Sequence, residues 1–162
     1  MKKQLIGTLL GILLGANSAA WSYDAELARS YAQLFSNVSG VGAGKALHFV
    51  SPEDFIEDIK QGKEYVAIDI RTPAETDVLS LSLPNSMIIP ADQVFTPQNL
   101  DHIPTDKPVM IVCKSGARAT AIGTSLRHIG FDNVYILKGG FQGLANYYGP
   151  KQAYGKASPA QN

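Results

Sequence analysis

The side chains best suited to chemistry in this 162-residue chain gather around its only cysteine, Cys113. Cys113 closes the apolar run Pro108-Val109-Met110-Ile111-Val112 and opens the loop Cys113-Lys114-Ser115-Gly116-Ala117-Arg118, after which a helical pattern begins near Ala117. A strand that ends in a cysteine and feeds a helix through a short loop turns backbone N–H groups, and the positive end of a helix dipole, toward the sulfur. Such surroundings favour thiolate over thiol, and the thiolate is the nucleophile. Free cysteines are often merely buried. This one sits among Lys, Ser, Gly and Arg rather than inside the apolar run, and that setting assigns it a reactive role. Arg118 points the same way, because a cation in the first turn of a helix is unfavourable against the dipole unless an anion is held nearby. Lys114 is open to two readings, attraction of an anion or plain solvation, and the plain reading of Ser115 is support of the turn.

The elements that must position this loop read as one domain with appendages. Hydrophobic content is 45%, and 15 glycines with nine prolines predict many tight connections. The formal net charge of zero gives no electrostatic footprint for nucleic acid. His48, His102 and His128 lie far apart and match no metal spacing, and no glycine-rich nucleotide fingerprint follows a strand, so neither metal nor cofactor is expected.

Residues 1–20 read as an export signal. Lys2 and Lys3 form a charged start, residues 5–14 an apolar core, and small or polar residues from 15 to 20 offer cleavage sites, with cleavage after Ala20 favoured over cleavage after Ser22. About ten apolar residues fall short of the roughly twenty needed to span a bilayer, and no cysteine near the cleavage site offers a lipid anchor. The expected mature chain is periplasmic, free of the membrane, and carries 12 basic against 14 acidic side chains, a formal charge of −2. Export permits disulfides, but one cysteine cannot form one internally. A lone thiol in an oxidising compartment is a liability unless it has a use.

Residues 21–44 form a segment of their own. Leu27, Tyr31, Leu34, Phe35 and Val38 recur at helical spacing, which predicts an amphipathic helix over 24–36 lying on the domain, and Ser39-Gly40-Val41-Gly42-Ala43-Gly44 reads as a glycine-rich hinge. The main domain runs from 45 to 148, and the polar tail 149–162 is expected to be flexible. Strands are predicted over 47–50, 65–70, 86–89, 109–112 and 134–137. Helices are predicted from Pro52 behind the N-cap Ser51, at Pro73, over 97–102, over 117–129 and over 141–148. The helix at Pro52 buries Phe55, Ile56 and Ile59, and that over 117–129 carries Ala121, Ile122, Ser125, Leu126 and Ile129 on one side. Alternating strands and helices define an α/β domain: a central, mainly parallel five-stranded sheet flanked by helices on both faces. Ligands of such sheets sit beyond the carboxyl ends of the strands, where Cys113 lies.

Four stretches of the chain together resemble the rhodanese family of sulfurtransferases. They are Ser51-Pro52-Glu53, the run Ile68-Asp69-Ile70-Arg71-Thr72-Pro73-Ala74-Glu75, the loop from Cys113 to Arg118 with Ala119, and Val134-Tyr135-Ile136-Leu137-Lys138-Gly139-Gly140. With an export signal ahead of one such domain, the chain looks like a small periplasmic thiosulfate sulfurtransferase. The resemblance implies a rhodanese-like fold and a nucleophile, Cys113, that takes sulfane sulfur from a donor such as thiosulfate, keeps it as a persulfide, and passes it to cyanide or a thiol. It implies that Arg118 stabilises the anion and binds an oxyanion end of the donor. Lys114 adds attraction for an anion, Ser115 donates to the persulfide, and Gly116 and Ala117 act through their N–H groups. Asp69, Arg71 and Glu75 are implied to be structural near the site, with Arg71 and Glu75 spaced to pair across a helix start. A protein sulfur acceptor is a further partner to expect.

The chain departs from the family pattern at two places. Leu81-Ser82-Leu83-Pro84-Asn85-Ser86 stands where the family usually has Gly-His-Ile-Pro-Gly-Ala, and Leu144 stands where it often has tryptophan. Two other readings compete. A cysteine phosphatase or arsenate reductase is disfavoured by a loop with four intervening residues, one short of a phosphate cradle, and by the lack of further cysteines. A non-enzymatic persulfide carrier would need a docking surface, for which the 24–36 helix is the candidate.

Overall fold

The computed structural model describes residues 23–149. The export signal expected over 1–20, and all but the first residue of the tail expected over 149–162, lie outside the described residues. Five strands form one sheet: β1 (Phe49–Val50), β2 (Val66–Asp69), β3 (Met87–Ile88), β4 (Val109–Val112) and β5 (Val134–Leu137). The strand order is β1-β5-β4-β2-β3, and every pairing is parallel, with Ile68 opposite Ile111 and Ile111 opposite Ile136 at the centre. The helices, in chain order, are α1 (Ala25–Leu34), α2 (Ala43–Ala46), α3 (Pro52–Lys60), α4 (Pro73–Thr76), α5 (Pro97–Leu100), α6 (Ala117–His128) and α7 (Gly140–Tyr148).

Four of the helix starts have a local cause. Asp24, Ser51, Thr72 and Thr96 cap α1, α3, α4 and α5 with a side-chain oxygen, and α3, α4 and α5 each carry proline in the first turn. Gly62 ends the turn after α3 at φ +85°, a left-handed conformation that glycine adopts without penalty.

The central strands are buried on both faces, so their side chains divide by parity. Val109, Ile111 and Cys113 join Ile68, Ile136 and Leu126 in one core, whereas Met110 and Val112 join Phe55, Tyr65 and Leu137 in the other. Leu126 brings α6 to the first face, and Phe55 and Leu144 bring α3 and α7 to the second. Edge strand β3 is two residues long and closely followed by Pro90, which limits pairing at that edge.

Three expectations change. The buried side of α6 is Ala119, Gly123 and Leu126, with Ile122 packed against the core, whereas Ala121 is exposed and Ile129 is 54% exposed. The reading by hydrophobicity favoured the larger side chains, but close approach of helix to sheet selects the small ones. A Cβ built on Gly123 lies 2.7 Å from Cγ1 of the fully buried Ile136. Segment 39–44, read as a hinge, is folded into a 3₁₀ turn at Gly40–Gly42 that runs into α2. Helix α1 meets the domain at His128. Tyr31 stacks on His128 with ring centroids 4.2 Å apart, and Ser30 Oγ lies 3.2 Å from His128 Nε2. No residue of α1 is fully buried.

Gly123→Val is expected to destabilise by about 1–3 kcal/mol through overpacking against Ile136, despite leaving glycine's poor helix propensity behind. A lowered urea midpoint with unchanged m-value checks this; an unchanged midpoint would show that Ile136 can move aside.

Candidate active site

Cys113 follows β4 directly at its carboxyl end, and the loop after it turns back over the sulfur. The turn is possible because Gly116 adopts φ +95° immediately before α6, and a Cβ there would crowd the Gly139 nitrogen at 3.2 Å. The thiol is 1% exposed. The Gly116 N–H donates to Sγ at 3.1 Å and the Ala119 N–H at 3.4 Å, so the sulfur sits on the amino end of α6. The second donor is Ala119, one turn into the helix, rather than the Ala117 expected from the loop. The backbone N–H groups of Lys114, Ser115, Ala117 and Arg118 have no acceptor among the described residues. All four belong to the segment that leads from Cys113 into α6.

A second helix start holds this loop from behind. The first N–H groups of α7 are orphans that need acceptors. Phe141 N–H donates to the Cys113 carbonyl at 2.7 Å, and Gln142 N–H to the Lys114 carbonyl at 3.0 Å. Gly140 makes that approach possible. It sits at φ +56°, and a Cβ on it would overlap the Cys113 carbonyl oxygen. In the sequence Gly139-Gly140 carries only the family resemblance. The structural signal is two successive glycines with positive φ beside the Cys113 loop.

The charged residues divide into two pairs, and the partners differ from those expected. Arg71 pairs with Asp69 and not with Glu75. Its Nε lies 2.9 Å from Oδ1 and its terminal nitrogen 2.6 Å from Oδ2, with both side chains buried. The same guanidinium donates to the Leu79 carbonyl at 2.6 Å and stacks on the Phe141 ring at 4.0 Å. Arg71 is thereby fixed to the far wall of the loop. Glu75 instead closes the capping box of α4, accepting from Thr72 N–H at 2.9 Å, and also accepts from Arg118 with both oxygens at 3.0 Å. A side chain committed to the cap of its own helix faces α6 rather than Arg71. One terminal nitrogen of Arg118 is spent on Glu75, and its remaining nitrogens have no partner among the described residues.

The Thr72 N–H, followed by Arg118 and the Thr72 hydroxyl, holds the Glu75 carboxyl down at about 2 against partial desolvation. Lys114 and Ser115 are exposed at the mouth. The three histidines serve separate places: His48 Nδ1 lies 3.0 Å from the Val134 carbonyl, His102 Nδ1 2.6 Å from that of Gln98, and His128 meets α1. Among the described residues no group of three or more His, Cys, Asp or Glu side chains is arranged to hold a metal ion.

Residues 51–147 match the model of the rhodanese-like domain, and the chain belongs to that family. It is similar to a sulfurtransferase of Allochromatium vinosum, 29% identical over 98 residues that cover 60% of this chain and 88% of the relative. It is also similar to a probable adenylyltransferase/sulfurtransferase, MoeZ, of Mycobacterium tuberculosis, 24% identical over 62% of this chain. The chain matches only 25% of that longer protein. Among solved structures it superposes on a rhodanese-related protein of Thermoplasma volcanium with a TM-score of 0.54 and 26% identity, covering 64% of this chain and 95% of that one. A rhodanese-like domain protein of Staphylococcus aureus gives a TM-score of 0.52 at 25% identity, over 59% of this chain and 89% of that one. The fold, the family and its kinship with sulfur-transfer proteins follow from these matches.

A carboxyl held near 2 when folded and near its ordinary 4.5 when unfolded stabilises the protein fully above pH 4.5, and that contribution is lost as pH falls toward 2. Glu75→Gln is therefore expected to be less stable than wild type at pH 7, with the gap in urea midpoint closing between pH 4.5 and 2. A gap independent of pH would show that the charge of Glu75 contributes nothing.

Proposed function

We propose that this protein is a sulfurtransferase of the periplasm, acting after removal of residues 1–20. It moves sulfane sulfur from thiosulfate or a similar anionic donor to cyanide or a thiol acceptor, a protein thiol included. The observation that carries this reading is the buried Cys113 sulfur at the amino end of α6, accepting from the Gly116 and Ala119 N–H groups, with four further N–H groups of the following segment without acceptors among the described residues. A ring of four intervening residues suits one extra sulfur on the cysteine better than a phosphate.

In the first half-reaction the Cys113 thiolate attacks the outer sulfur of thiosulfate. A new S–S bond forms to Cys113, the donor's own S–S bond breaks, and sulfite leaves with the electron pair. In the second, cyanide or a thiolate attacks the outer sulfur of the persulfide, that S–S bond breaks, and the Cys113 thiolate returns. The N–H groups of Lys114, Ser115, Ala117 and Arg118 receive the outer sulfur and its charge. Arg118, held at one nitrogen by Glu75, presents its remaining donors to an oxyanion end of the donor. Lys114 raises the local concentration of anions at the mouth. Asp69 and Arg71 act through position, keeping Phe141 and the loop behind Cys113 in place.

Treatment with thiosulfate is expected to add one sulfur, about 32 Da, to the peptide containing Cys113, and cyanide to remove it, as a covalent intermediate requires. Cys113→Ser should fold normally and lose transfer; activity within tenfold of wild type refutes the covalent role. Arg118→Lys should lose on the order of tenfold or more, the scale of one charge-assisted hydrogen bond. Lys114→Ala should raise KM for thiosulfate with kcat little changed, and the effect should shrink as salt is added. If KM is unmoved, Lys114 is a solvated side chain and the donor is not recognised by its charge.

A further inference from the structure

The two places where the chain departs from the family pattern meet in space. Leu81 and Ser82, in place of the usual Gly-His, and Leu144, in place of the frequent tryptophan, line one cavity of about 460 Å³ between α3, α7 and the loop before β3. That volume lies within the roughly 300–1,000 Å³ of ordinary small-molecule sites. Most of its remaining lining is apolar, with Phe55, Ile59, Leu79 and Phe141 among it. The loop wall is pinned at both ends. Arg71 holds the Leu79 carbonyl at 2.6 Å, and Ser86 Oγ donates to the Leu81 carbonyl at 3.1 Å. The site is therefore preformed, which spares a ligand the cost of ordering it.

One cation stands at this cavity. Lys60 lies over the Tyr148 ring at 5.5 Å, and its acidic neighbour Glu57 is 3.9 Å away, at the outer limit of an ion pair. Ser80 and Ser82 add hydroxyls, and no carboxylate among the described residues lines the cavity.

We infer that this cavity binds a small amphiphile, an apolar body carrying a single acidic head, with the body between Leu81 and Leu144 and the head on Lys60. Neither Cys113 nor any other residue of its loop lines the cavity, so binding does not depend on sulfur transfer. The two are neighbours through Phe141, whose ring forms part of the cavity wall and whose N–H holds the Cys113 carbonyl.

The test is a fluorescence titration of the intact purified protein with anilinonaphthalene sulfonate, followed by competition. Saturable binding at one site per chain is expected, displaced by decanoate and not by decyltrimethylammonium. Leu144→Trp fills the cavity and should weaken binding at least tenfold while leaving the melting temperature and sulfur transfer intact. If that variant fails to fold, Ser82→Phe, on the exposed rim, does the same work. Lys60→Gln should weaken binding roughly three- to fivefold, the scale of one exposed ion pair, with the loss shrinking in salt. Lack of saturable binding, equal displacement by the cationic amphiphile, or unchanged binding in a folded filled-cavity variant overturns the inference. So does binding that appears only in a chain ending at Gly149, which would give the cavity to residues 150–162.

Discussion

The grip of one helix start on the carbonyls of Cys113 and Lys114 is the constraint on which the rest of the site depends. A sulfur can sit on the amino end of α6 only if the loop before that helix is folded tightly, and a tight loop exposes its own carbonyl groups. The first N–H groups of α7 satisfy two of them, and their own need for acceptors fixes where α7 begins. Gly116 supplies the left-handed turn and Gly140 the space. Two helix termini thus act on one loop from opposite sides, one toward the sulfur and one toward the peptide groups that carry it.

The charged residues follow from this arrangement. Asp69 and Arg71 are too deeply buried to be attractive for stability by themselves, since desolvation offsets much of their mutual attraction. Their geometry explains their presence better. The pair joins the end of β2 to the Leu79 carbonyl and to the ring of Phe141, so the wall behind the loop is one connected unit. Glu75 and Arg118 make the second pair, half in solvent, where attraction is modest and screened by salt. Its effect is to aim a guanidinium that a helix dipole would otherwise repel.

The two faces of the sheet are packed by different means. On one, α6 lies so close that only small side chains fit, and Gly123 meets Ile136 directly. On the other, α3 and α7 stand apart enough for a cavity to remain between them and the loop before β3. Close packing behind the sulfur keeps its position defined, and the looser face retains the cavity.

Local rules made much of this legible from the chain alone. The five strands, the capped start at Ser51, the helical turns at Pro73 and Pro97 and the placement of Cys113 after a buried strand depend on nearest-neighbour chemistry: β-branched runs, a cap oxygen, and prolines in first turns. So does the reading of Cys113 with its glycine-bearing loop, because a strand-to-helix turn by itself points N–H groups toward the sulfur, although α7 holds that turn in place. Three things were not legible. The partner of Arg71 depended on which way Glu75 turned, and that was decided by a cap and by Arg118, 43 residues away. The buried face of α6 depended on how near the sheet came, a distance that hydrophobicity along one helix does not encode. The hold of Phe141 and Gln142 on the Cys113 loop joins segments that meet only when β4 and β5 pair side by side. Sequence determines such features only through the whole packed structure, since each is a contact between surfaces and belongs to neither segment by itself.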